Sequence, residues 1–373
     1  MKIFLSKPHM SGQEQIYIDE AFDSNYIAPL GPHLDAFEKK VSDYFGSDFH
    51  CVGLSSGTAA LHLALVVAGV EKGDEVWVSS MTFAGGVFPI RYIGAIPRFF
   101  DLNPKTWCID TNVLSEELKK ANNENRLPKA IIPTDLYGQS VDLNPLELLA
   151  KKYGVSLVVD SAESFGAEYL KGRKAGSGGD IAILSFNGNK IITTSGGGMI
   201  VTKNKVWADK ARFLSTQARD KALHYEHSHI GYNYRLSNIC AAIGLGQMSV
   251  LDDRVSARRE VFNRYFDQLN IKGVNFMPEP NGYKSSRWLT ALTVDPQKTR
   301  VTNLDIINML NEHHIESRPL WKPMHLQPIF KGIKYHGSGF DESIFHSGLC
   351  LPSSSDLSED QQQEIINLIL EIL

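Results

Sequence analysis

The sequence has 373 residues, and 43% of them are hydrophobic, which is enough for a substantial core divided over two or three domains. The formal net charge is -4, with acidic and basic residues mixed along the chain. Because the chain has no basic block and no cationic amphipathic segment, we expect neither a nucleic-acid partner nor a membrane-surface partner.

The cysteines and the first residues bear on the compartment. Cys51, Cys108, Cys240 and Cys350 are far apart and form no Cys-x-x-Cys pair, which disfavours a disulfide or zinc framework. The opening MKIFLSKPHM has too short an apolar run for a signal peptide, and no stretch approaches 18 apolar residues. We therefore expect a soluble, cytoplasmic protein.

Strand-like and helical patterns alternate through the first two thirds of the chain. Two helical patterns, SGQEQIYIDEAFDS and HLDAFEKKVSDYFG, come first. The predicted strands that follow are HCVGLS, DEVWVS, AIPRFFDL, KAIIPTDL, VSLVVDSA and IAILSF, and the helices among them are GTAALHLALVVAG, FAGGVFPIRYIG and NPLELLAKKYG. Such alternation predicts an α/β domain with a mainly parallel central sheet flanked by helices.

Ligands of parallel sheets bind beyond the carboxyl ends of the strands. The segments that leave the predicted strands are LSSGT, SSMTF, DSAES and SFNGNK. We expect these four segments to converge on one site.

The last third of the chain has a different pattern. A long helical stretch around residues 236–269 leads to the strand-like SSRWLTALTV and to the helical NLDIINMLNEHH and SEDQQQEIINLILEIL. We therefore divide the chain into a large α/β domain over residues 1–245 and a small C-terminal α+β domain over residues 246–373, joined by the long helix.

Small residues stand where the first strand of the sheet turns into a helix, in LSSGTAALHLAL. Free N–H groups and the positive end of a helix dipole make such a turn a phosphate site. Small residues are also common at helix starts for structural reasons alone. Neither GxxxxGK[ST] nor GxGxxG occurs, so the usual nucleotide-binding fingerprints are missing.

Two charged residues follow strands in the same half of the chain. Asp160 ends the very apolar SLVVD, where a carboxylate either caps a helix or pairs with a buried cation. Lys190 lies in SFNGNKIITTSGGGM, among small and polar residues. Either residue alone has an ordinary explanation, but together with a phosphate site they match the requirements of pyridoxal 5'-phosphate. A lysine binds its aldehyde as a Schiff base, and an aspartate keeps its ring nitrogen protonated.

Six motifs occur in order over almost the whole chain: SSGTAALHLAL, MTFAGG, DSAESFGA, SFNGNKIITTSGGGM, GYNYRLSN and RPLWKPMH. In these motifs the sequence resembles the DegT/DnrJ/StrS family of sugar-nucleotide aminotransferases, which use pyridoxal phosphate on the fold-type-I aminotransferase scaffold. SNYIAPLGPHLDAFE and STQARDKALHYEH are similar to the bacillosamine branch. That resemblance implies transfer of an amino group from L-glutamate to C4 of a UDP-linked 4-keto-6-deoxy-N-acetylhexosamine, for bacterial glycan biosynthesis.

The resemblance also implies roles for residues of the large domain. Lys190 is the expected Schiff-base lysine, and Asp160 the expected partner of the ring nitrogen. The other implied cofactor contacts are Gly57, Thr58 and Ser185 at the phosphate, Phe83 on the ring, Glu163 near the ring hydroxyl, and Asn233. Phe83 could also belong simply to the core. Many relatives carry His or Gln at the place of Glu163 and often His at that of Asp135, and we assign Asp135 no catalytic role.

Further implied contacts involve the partner subunit and the substrate. Asn233 resembles an asparagine that reaches the phosphate of the neighbouring subunit, which implies a homodimer with shared active sites. HYEHSH contains three histidines whose spacing does not favour a metal site, and we expect no metal and a substrate contact from His227. Arg318 and His325 are further candidates for substrate binding, although an interface or surface position explains Arg318 equally well.

Three alternatives stay open. The same chemistry could act on a dTDP- or GDP-linked 3- or 4-keto sugar. Family members that remove a sugar hydroxyl replace the lysine with histidine, so Lys190 disfavours that reaction. A non-catalytic regulatory protein on the same scaffold is disfavoured because Lys190 and Asp160 are both present.

Overall fold

The computed structural model describes residues 2–373 and contains two β-sheets with helices packed around them. The strands are β1 (His50–Leu54), β2 (Glu75–Ser79), β3 (Ile96–Phe100), β4 (Ala130–Ile132), β5 (Ser156–Asp160), β6 (Ile181–Ser185), β7 (Gly198–Thr202), β8 (Val274–Phe276), β9 (Thr290–Val294), β10 (Arg318–Pro319), β11 (Tyr335–His336) and β12 (Gly348–Leu351). The helices are α1 (Glu14–Asp23), α2 (Pro32–Phe45), α3 (Gly57–Val67), α4 (Phe88–Ile93), α5 (Thr111–Asn123), α6 (Leu143–Tyr153), α7 (Lys205–Ser215), α8 (Asn238–Met248), α9 (Leu251–Leu269), α10 (Pro296–Thr299), α11 (Asn303–Glu312), α12 (Phe340–Ser347) and α13 (Glu359–Ile372).

The large sheet has eight strands in the order β1-β7-β6-β5-β4-β2-β3-β11. In the part of this order that runs from β6 through β5, β4, β2 and β3 to β11, each strand is parallel to the next. By contrast, β7 is antiparallel to both β1 and β6. Because two antiparallel pairings restore the direction, β1 runs the same way as β6. The predicted α/β fold with a mainly parallel sheet is confirmed.

Alternate residues of the central strands face two different hydrophobic layers. Val158 and Ile183 pack with α3, α4 and α7, while Leu157 and Val159 pack with α5 and α6. A strand buried on both faces must be apolar along its whole length, which is why these strands read as continuous hydrophobic runs. The layers exclude water from the sheet and leave its carboxyl edge as the place for polar side chains.

The second sheet is antiparallel, in the order β10-β12-β9-β8, and its core includes residues of α9, α11 and α13. Two pairings connect this region to other parts of the chain. β11 pairs with β3 in the large sheet, and Ile3 forms a bridge with Ile315. The division of the chain between residues 245 and 246 stays a prediction.

The long helix expected around residues 236–269 is two helices, α8 and α9, so that expectation needs correction. The N–H groups of Ser249 and Val250 donate to the carbonyls of Gly246 and Gln247, which tightens the last turn of α8. The backbone of Gly246 lies against Glu14 of α1, where a Cβ atom would come within 2.8 Å. The tightened last turn of α8, packed closely against α1, therefore separates it from α9.

The strand expected from SSRWLTALTV is also shorter than its pattern, because β9 begins only at Thr290. The residues before it, including the buried Trp288, lie outside the sheet. β7 was not predicted at all. Among residues 2–373 there is no helix with both the length and the apolar character needed to cross a membrane.

We predict that Gly198→Ala destabilises the fold. Gly198 pairs with the last residues of both β1 and β6, and an added Cβ atom there would overlap the backbone carbonyl of Ser56. Relieving that overlap requires a backbone shift, so we expect the free energy of unfolding to fall by about 1–3 kcal/mol in urea denaturation. Gly188→Ala is the matched control, since its Cβ atom would meet nothing closer than 3.9 Å. Equal unfolding midpoints for the two variants would contradict this account.

Candidate active site

The four segments expected to converge do meet, at a cavity of about 260 Å³ beyond the carboxyl ends of β1, β2, β5 and β6. The cavity is lined by Ser56, Gly57, Thr58, Phe83, Gly85, Gly86, Asp160, Ala162, Glu163, Ile183, Ser185, Asn187, Asn189, Lys190, Gly196, Gly197, Trp288 and Trp321. The parallel sheet explains the convergence, because parallel strands end at the same edge. Among the lining residues that the structure describes, Lys190 is the one cation.

Lys190 lies in the loop between β6 and β7, and its side chain is only 11% exposed. Its Nζ lies 3.8 Å from Oε1 of Glu163 and 3.9 Å from the ring centroid of Trp288. Burial lowers the pKa of Lys190, and the nearby charges of Glu163 and Asp160 oppose that change. A lysine with a lowered pKa more readily supplies the neutral, nucleophilic amine.

Asp160 ends β5 and is buried. Its Oδ1 accepts a hydrogen bond from the N–H of Ala162 at 3.1 Å, and its Oδ2 faces Gly86, where a Cβ atom would come within 2.8 Å. Burial, reinforced by the charge of Glu163, raises the pKa of Asp160 to about 7. A buried carboxyl group that borders the cavity and lacks a close cation is suited to bind a protonated ring nitrogen.

Glu163 is a second buried carboxyl group beside Lys190. Its Oε2 accepts a hydrogen bond from the N–H of Tyr137 at 2.8 Å, which aims Oε1 at the amine. Burial raises the pKa of Glu163, and Lys190 opposes the shift. Lys190 therefore forms its ion pair with Glu163, while Asp160 stays free to bind a ligand.

Asp135 follows β4 and holds the turn that carries these two carboxyl groups. It accepts hydrogen bonds from the hydroxyls of Ser161 and Ser164 at 2.7 Å and of Tyr169 at 3.1 Å, and from the N–H of Val141 at 2.8 Å. These bonds fix the segment between Asp160 and Glu163. Sequence reasoning gave Asp135 no catalytic role, and the structure shows a supporting one.

The start of α3 forms a narrow, polar end of the cavity. Ser56 caps the helix, since its hydroxyl accepts a hydrogen bond from the N–H of Ala59 at 3.0 Å. A Cβ atom on Gly57 would come within 3.0 Å of the Ser185 side chain, and one on Gly85 within 2.7 Å of the Thr58 hydroxyl. Glycine therefore keeps these segments close, with helix N–H groups at the cavity, as a phosphate site requires.

The residues present thus fit pyridoxal phosphate in three independent ways. A buried lysine, a buried carboxyl group without a close cation, and a helix start bordered by small and hydroxyl residues line one cavity. We find the aldehyde, the ring nitrogen and the phosphate of the cofactor each matched by one of these features.

Aromatic side chains close the open side of the cavity. Phe83 is 58% exposed and meets Trp321 edge to face, with ring centroids 4.7 Å apart. The N–H of Trp321 donates to the hydroxyl of Tyr137 at 2.7 Å, which ties this loop to the large sheet. Sequence reasoning assigned no role to Trp288 or Trp321. Trp288 stands in a segment that reads as a strand, where a tryptophan is ordinary core.

The remaining candidates do not line the cavity in this chain. Asn233 and His227 are exposed, and His227 donates from Nδ1 to the carbonyl of Gln217 at 2.9 Å. Arg318 is exposed and paired with Glu316 at 3.1 Å. Their expected contacts with a partner subunit or a substrate stay predictions.

His325 lies in a separate cluster with Asp341 and Glu342. Its Nε2 lies 2.9 Å from Oε1 of Glu342, its Nδ1 lies 3.7 Å from Oδ2 of Asp341, and its ring stacks on Tyr335. These contacts engage the ring away from the cavity, so the placement gives no support to the expected substrate contact. Asp341 also accepts hydrogen bonds from Ser80 and Tyr335, so its carboxylate serves to join loops.

Comparison with known proteins extends these observations. A model of the DegT/DnrJ/EryC1/StrS aminotransferase family matches residues 8–370. EpsN of Bacillus subtilis (strain 168), assigned provisionally as a pyridoxal phosphate-dependent aminotransferase, is 47% identical over 100% of this chain and 96% of its own length. GDP-perosamine synthase of Caulobacter vibrioides is 35% identical over 100% of this chain and 98% of its own length.

A solved structure has the same fold. Spr1654 of Streptococcus pneumoniae, assigned provisionally as a sugar aminotransferase, is 25% identical in its PLP form. The match covers 99% of both chains with a TM-score of 0.88, and the PMP form of the same protein gives 0.89. The overall fold of this chain is therefore that of proteins solved with both forms of the cofactor.

We predict an unusual pH dependence of stability for the cofactor-free protein. Between the usual aspartate pKa of 3.8 and about 7, folded Asp160 keeps a proton that the unfolded chain releases, so the free energy of unfolding falls as the pH rises through this window. Asp160→Asn removes this titrating group. Over urea titrations from pH 4 to 8, the free energy of unfolding of the variant should therefore fall by roughly 2–4 kcal/mol less than that of the wild type. Asp23→Asn, a surface change on α1, should behave like the wild type. Parallel pH profiles for all three proteins would refute the assignment.

Proposed function

The chain belongs to the DegT/DnrJ/EryC1/StrS aminotransferase family, and from this premise we propose that it transfers an amino group from L-glutamate to C4 of a UDP-linked 4-keto-6-deoxy-N-acetylhexosamine. Membership makes the protein a pyridoxal phosphate-dependent sugar aminotransferase. The donor, the nucleotide and the amination position are the parts that we propose. The product would serve bacterial glycan biosynthesis in the cytoplasm.

One observation carries the catalytic part of the proposal: the buried amine of Lys190 faces the same cavity as the carboxyl group of Asp160 and the start of α3. When bound, pyridoxal phosphate supplies a carbonyl that combines with amines and a ring that accepts electrons. Asp160 would hold the ring nitrogen, and Gly57, Thr58 and Ser185 would hold the phosphate. Phe83 would cover the ring from the open side, where it meets Trp321.

Lys190 has two proposed tasks. Its Nζ is the covalent anchor of the resting enzyme, and the freed amine takes a proton from Cα of the amino donor and delivers it within the cavity. Proton exchange is efficient when the pKa of the group lies near the working pH, and burial moves the pKa of Lys190 in that direction. Glu163 and Trp288 flank the amine at 3.8 Å and 3.9 Å.

The proposed acceptor rests on two segments that resemble the bacillosamine branch, SNYIAPLGPHLDAFE and STQARDKALHYEH. Both include large apolar side chains that are exposed in one chain, among them Leu30 and Leu223. A GDP-linked keto sugar is the second candidate, because the chain is 35% identical over its whole length to a GDP-perosamine synthase. His227, Arg318 and His325 stay proposed substrate contacts on the strength of their residue types and sequence positions alone.

We also propose a homodimer. The loop before Asn233 exposes Leu223, Tyr225 and Ile230, three large apolar side chains in direct contact with solvent. A second copy that covers this loop would remove them from water and bring Asn233 toward a neighbouring phosphate site. Sedimentation velocity of the purified protein tests the oligomeric state.

We predict that Lys190→Ala abolishes both the visible absorbance of the cofactor-loaded protein and transamination, because no other lysine within residues 2–373 lines the cavity. Activity should fall at least about 1,000-fold when glutamate-dependent amination is followed by mass spectrometry. Lys203→Ala, which changes an exposed lysine paired with Asp48, is the control and should retain both signals. Retained turnover in the Lys190 variant would end the proposal.

The acceptor is tested separately with a panel of UDP-, GDP- and dTDP-linked 4-keto and 3-keto sugars and glutamate as donor. We expect that only the UDP-linked 4-keto-N-acetyl sugar changes in mass, by the amount that corresponds to replacement of its carbonyl oxygen by an amine. One molecule of 2-oxoglutarate should form for each molecule of aminated sugar. Amination of a GDP-linked sugar alone would instead establish the second candidate and leave the catalytic assignments unchanged.

A further inference from the structure

The indole of Trp288 contacts two consecutive residues of the lysine loop. Its ring covers the amine of Lys190, with Nζ 3.9 Å from the ring centroid. Its Nε1–H donates to the backbone carbonyl of Asn189 at 2.6 Å. Trp288 is 1% exposed and comes from the chain segment just before β9, about a hundred positions away in the sequence. One side chain therefore restrains both the backbone and the amine of the lysine loop.

Trp288 is itself held by a buried arginine of α9. Nη1 of Arg258 donates to the carbonyl of Trp288 at 2.6 Å and to that of Ser353 at 2.9 Å, and Nη2 donates to the hydroxyl of Ser6 at 3.0 Å. The hydroxyl of Ser6 in turn donates to the carbonyl of Asn189 at 2.6 Å. These bonds close a ring from Arg258 through Trp288 and Asn189 back to Ser6.

The guanidinium of Arg258 is buried, at 1% exposure, and its hydrogen bonds go to neutral oxygens. Burial lowers the pKa of Arg258, and the charge of Asp356 opposes that change. A buried guanidinium is expensive unless hydrogen bonds satisfy it. Here those bonds go to the carbonyl that fixes Trp288 and to the hydroxyl that supports the lysine loop.

We propose that Trp288, fixed by Arg258, is the positioning residue that holds the Lys190 amine against Glu163 whenever that amine is free. The inference rests on the proposed role of Lys190 and adds residues from the C-terminal part of the chain to it. Because the side chain of Lys190 is only 11% exposed, a free ammonium group there needs a source of solvation besides bulk water. The indole face supplies it on one side and the carboxylate of Glu163, 3.8 Å away, on the other.

The arrangement has a measurable electrostatic consequence. The charged groups that face Lys190 are Glu163 and Asp160, both from the end of β5 and the turn after it. Trp288, Trp321 and Asn189 face it as neutral groups. An aromatic face favours the ammonium over the neutral amine, so removal of that face should lower the pKa of Lys190 while the cavity stays dry.

The test uses the full-length protein without cofactor, in which the pKa of Lys190 is obtained from competitive acetylation over a pH series. The extent of reaction is read on the Lys190 peptide by mass spectrometry. Trp288→Leu should lower this pKa by about one unit, and Trp288→Phe, which keeps a ring but loses the N–H, by less. A pKa that is unchanged or raised in Trp288→Leu would overturn the proposal.

Arg258→Lys tests the support of the indole. If Arg258 acts through Trp288, this change lowers the pKa of Lys190 in the wild-type background and has no further effect in Trp288→Leu. Equal shifts in both backgrounds would overturn the part assigned to Arg258. Should Trp288→Leu fail to fold, the same cycle is read with Trp288→Phe.

Trp207→Leu is the matched control, because Trp207 lies on α7 and borders a different cavity. It should leave the pKa of Lys190 unchanged, and urea unfolding of every variant reports general loss of stability. Since acetylation needs neither cofactor nor substrate, its outcome is independent of turnover. If Trp288→Leu shows the pKa shift but the wild-type protein shows no transamination, the proposed function is refuted and the positioning role of Trp288 stands.

Discussion

Burial of three ionisable side chains in one cavity is the constraint on which the rest of this structure depends. Lys190, Asp160 and Glu163 are largely shielded from solvent, so the charged form of each is costly unless a neighbour stabilises it. One lysine faces two carboxyl groups, and the part of the cavity lining that the structure describes contains no second cation. The protonated ring nitrogen of pyridoxal phosphate has the charge that this set requires. The same imbalance that lowers the stability of the free protein at neutral pH thus favours the cofactor.

The parallel sheet makes this burial possible. Helices cover both faces of β4, β5 and β6, and only the carboxyl edge admits polar groups. Asp135 stabilises that edge, since it accepts hydrogen bonds from Ser161 and Ser164, which directly follow Asp160 and Glu163. A rigid turn keeps both carboxyl groups in place before any ligand binds, which reduces the reorganisation that binding must otherwise drive.

The C-terminal part of the chain completes the cavity. Trp288 and Trp321 come from segments that follow the large sheet in sequence, yet they contact Lys190 and Phe83 directly. Arg258 anchors one of these segments from α9. The amine of Lys190 is therefore contacted both by Glu163, from the turn after β5, and by Trp288, from the C-terminal part of the chain.

The sequence by itself determined the alternation of strands and helices, the helix start at Gly57, and the placement of Asp160 and Lys190 after strands. These features were predictable because each depends on a short segment: hydrophobic period, small residues at a turn, and a charge directly after an apolar run. The tertiary structure alone decided the break between α8 and α9 and the positions of Trp288, Asp135 and Arg258 around the site. It also placed His325 with Asp341 and Glu342 instead of at the cavity. Such contacts join residues far apart in the chain, and local periodicity contains no information about which distant side chains will meet.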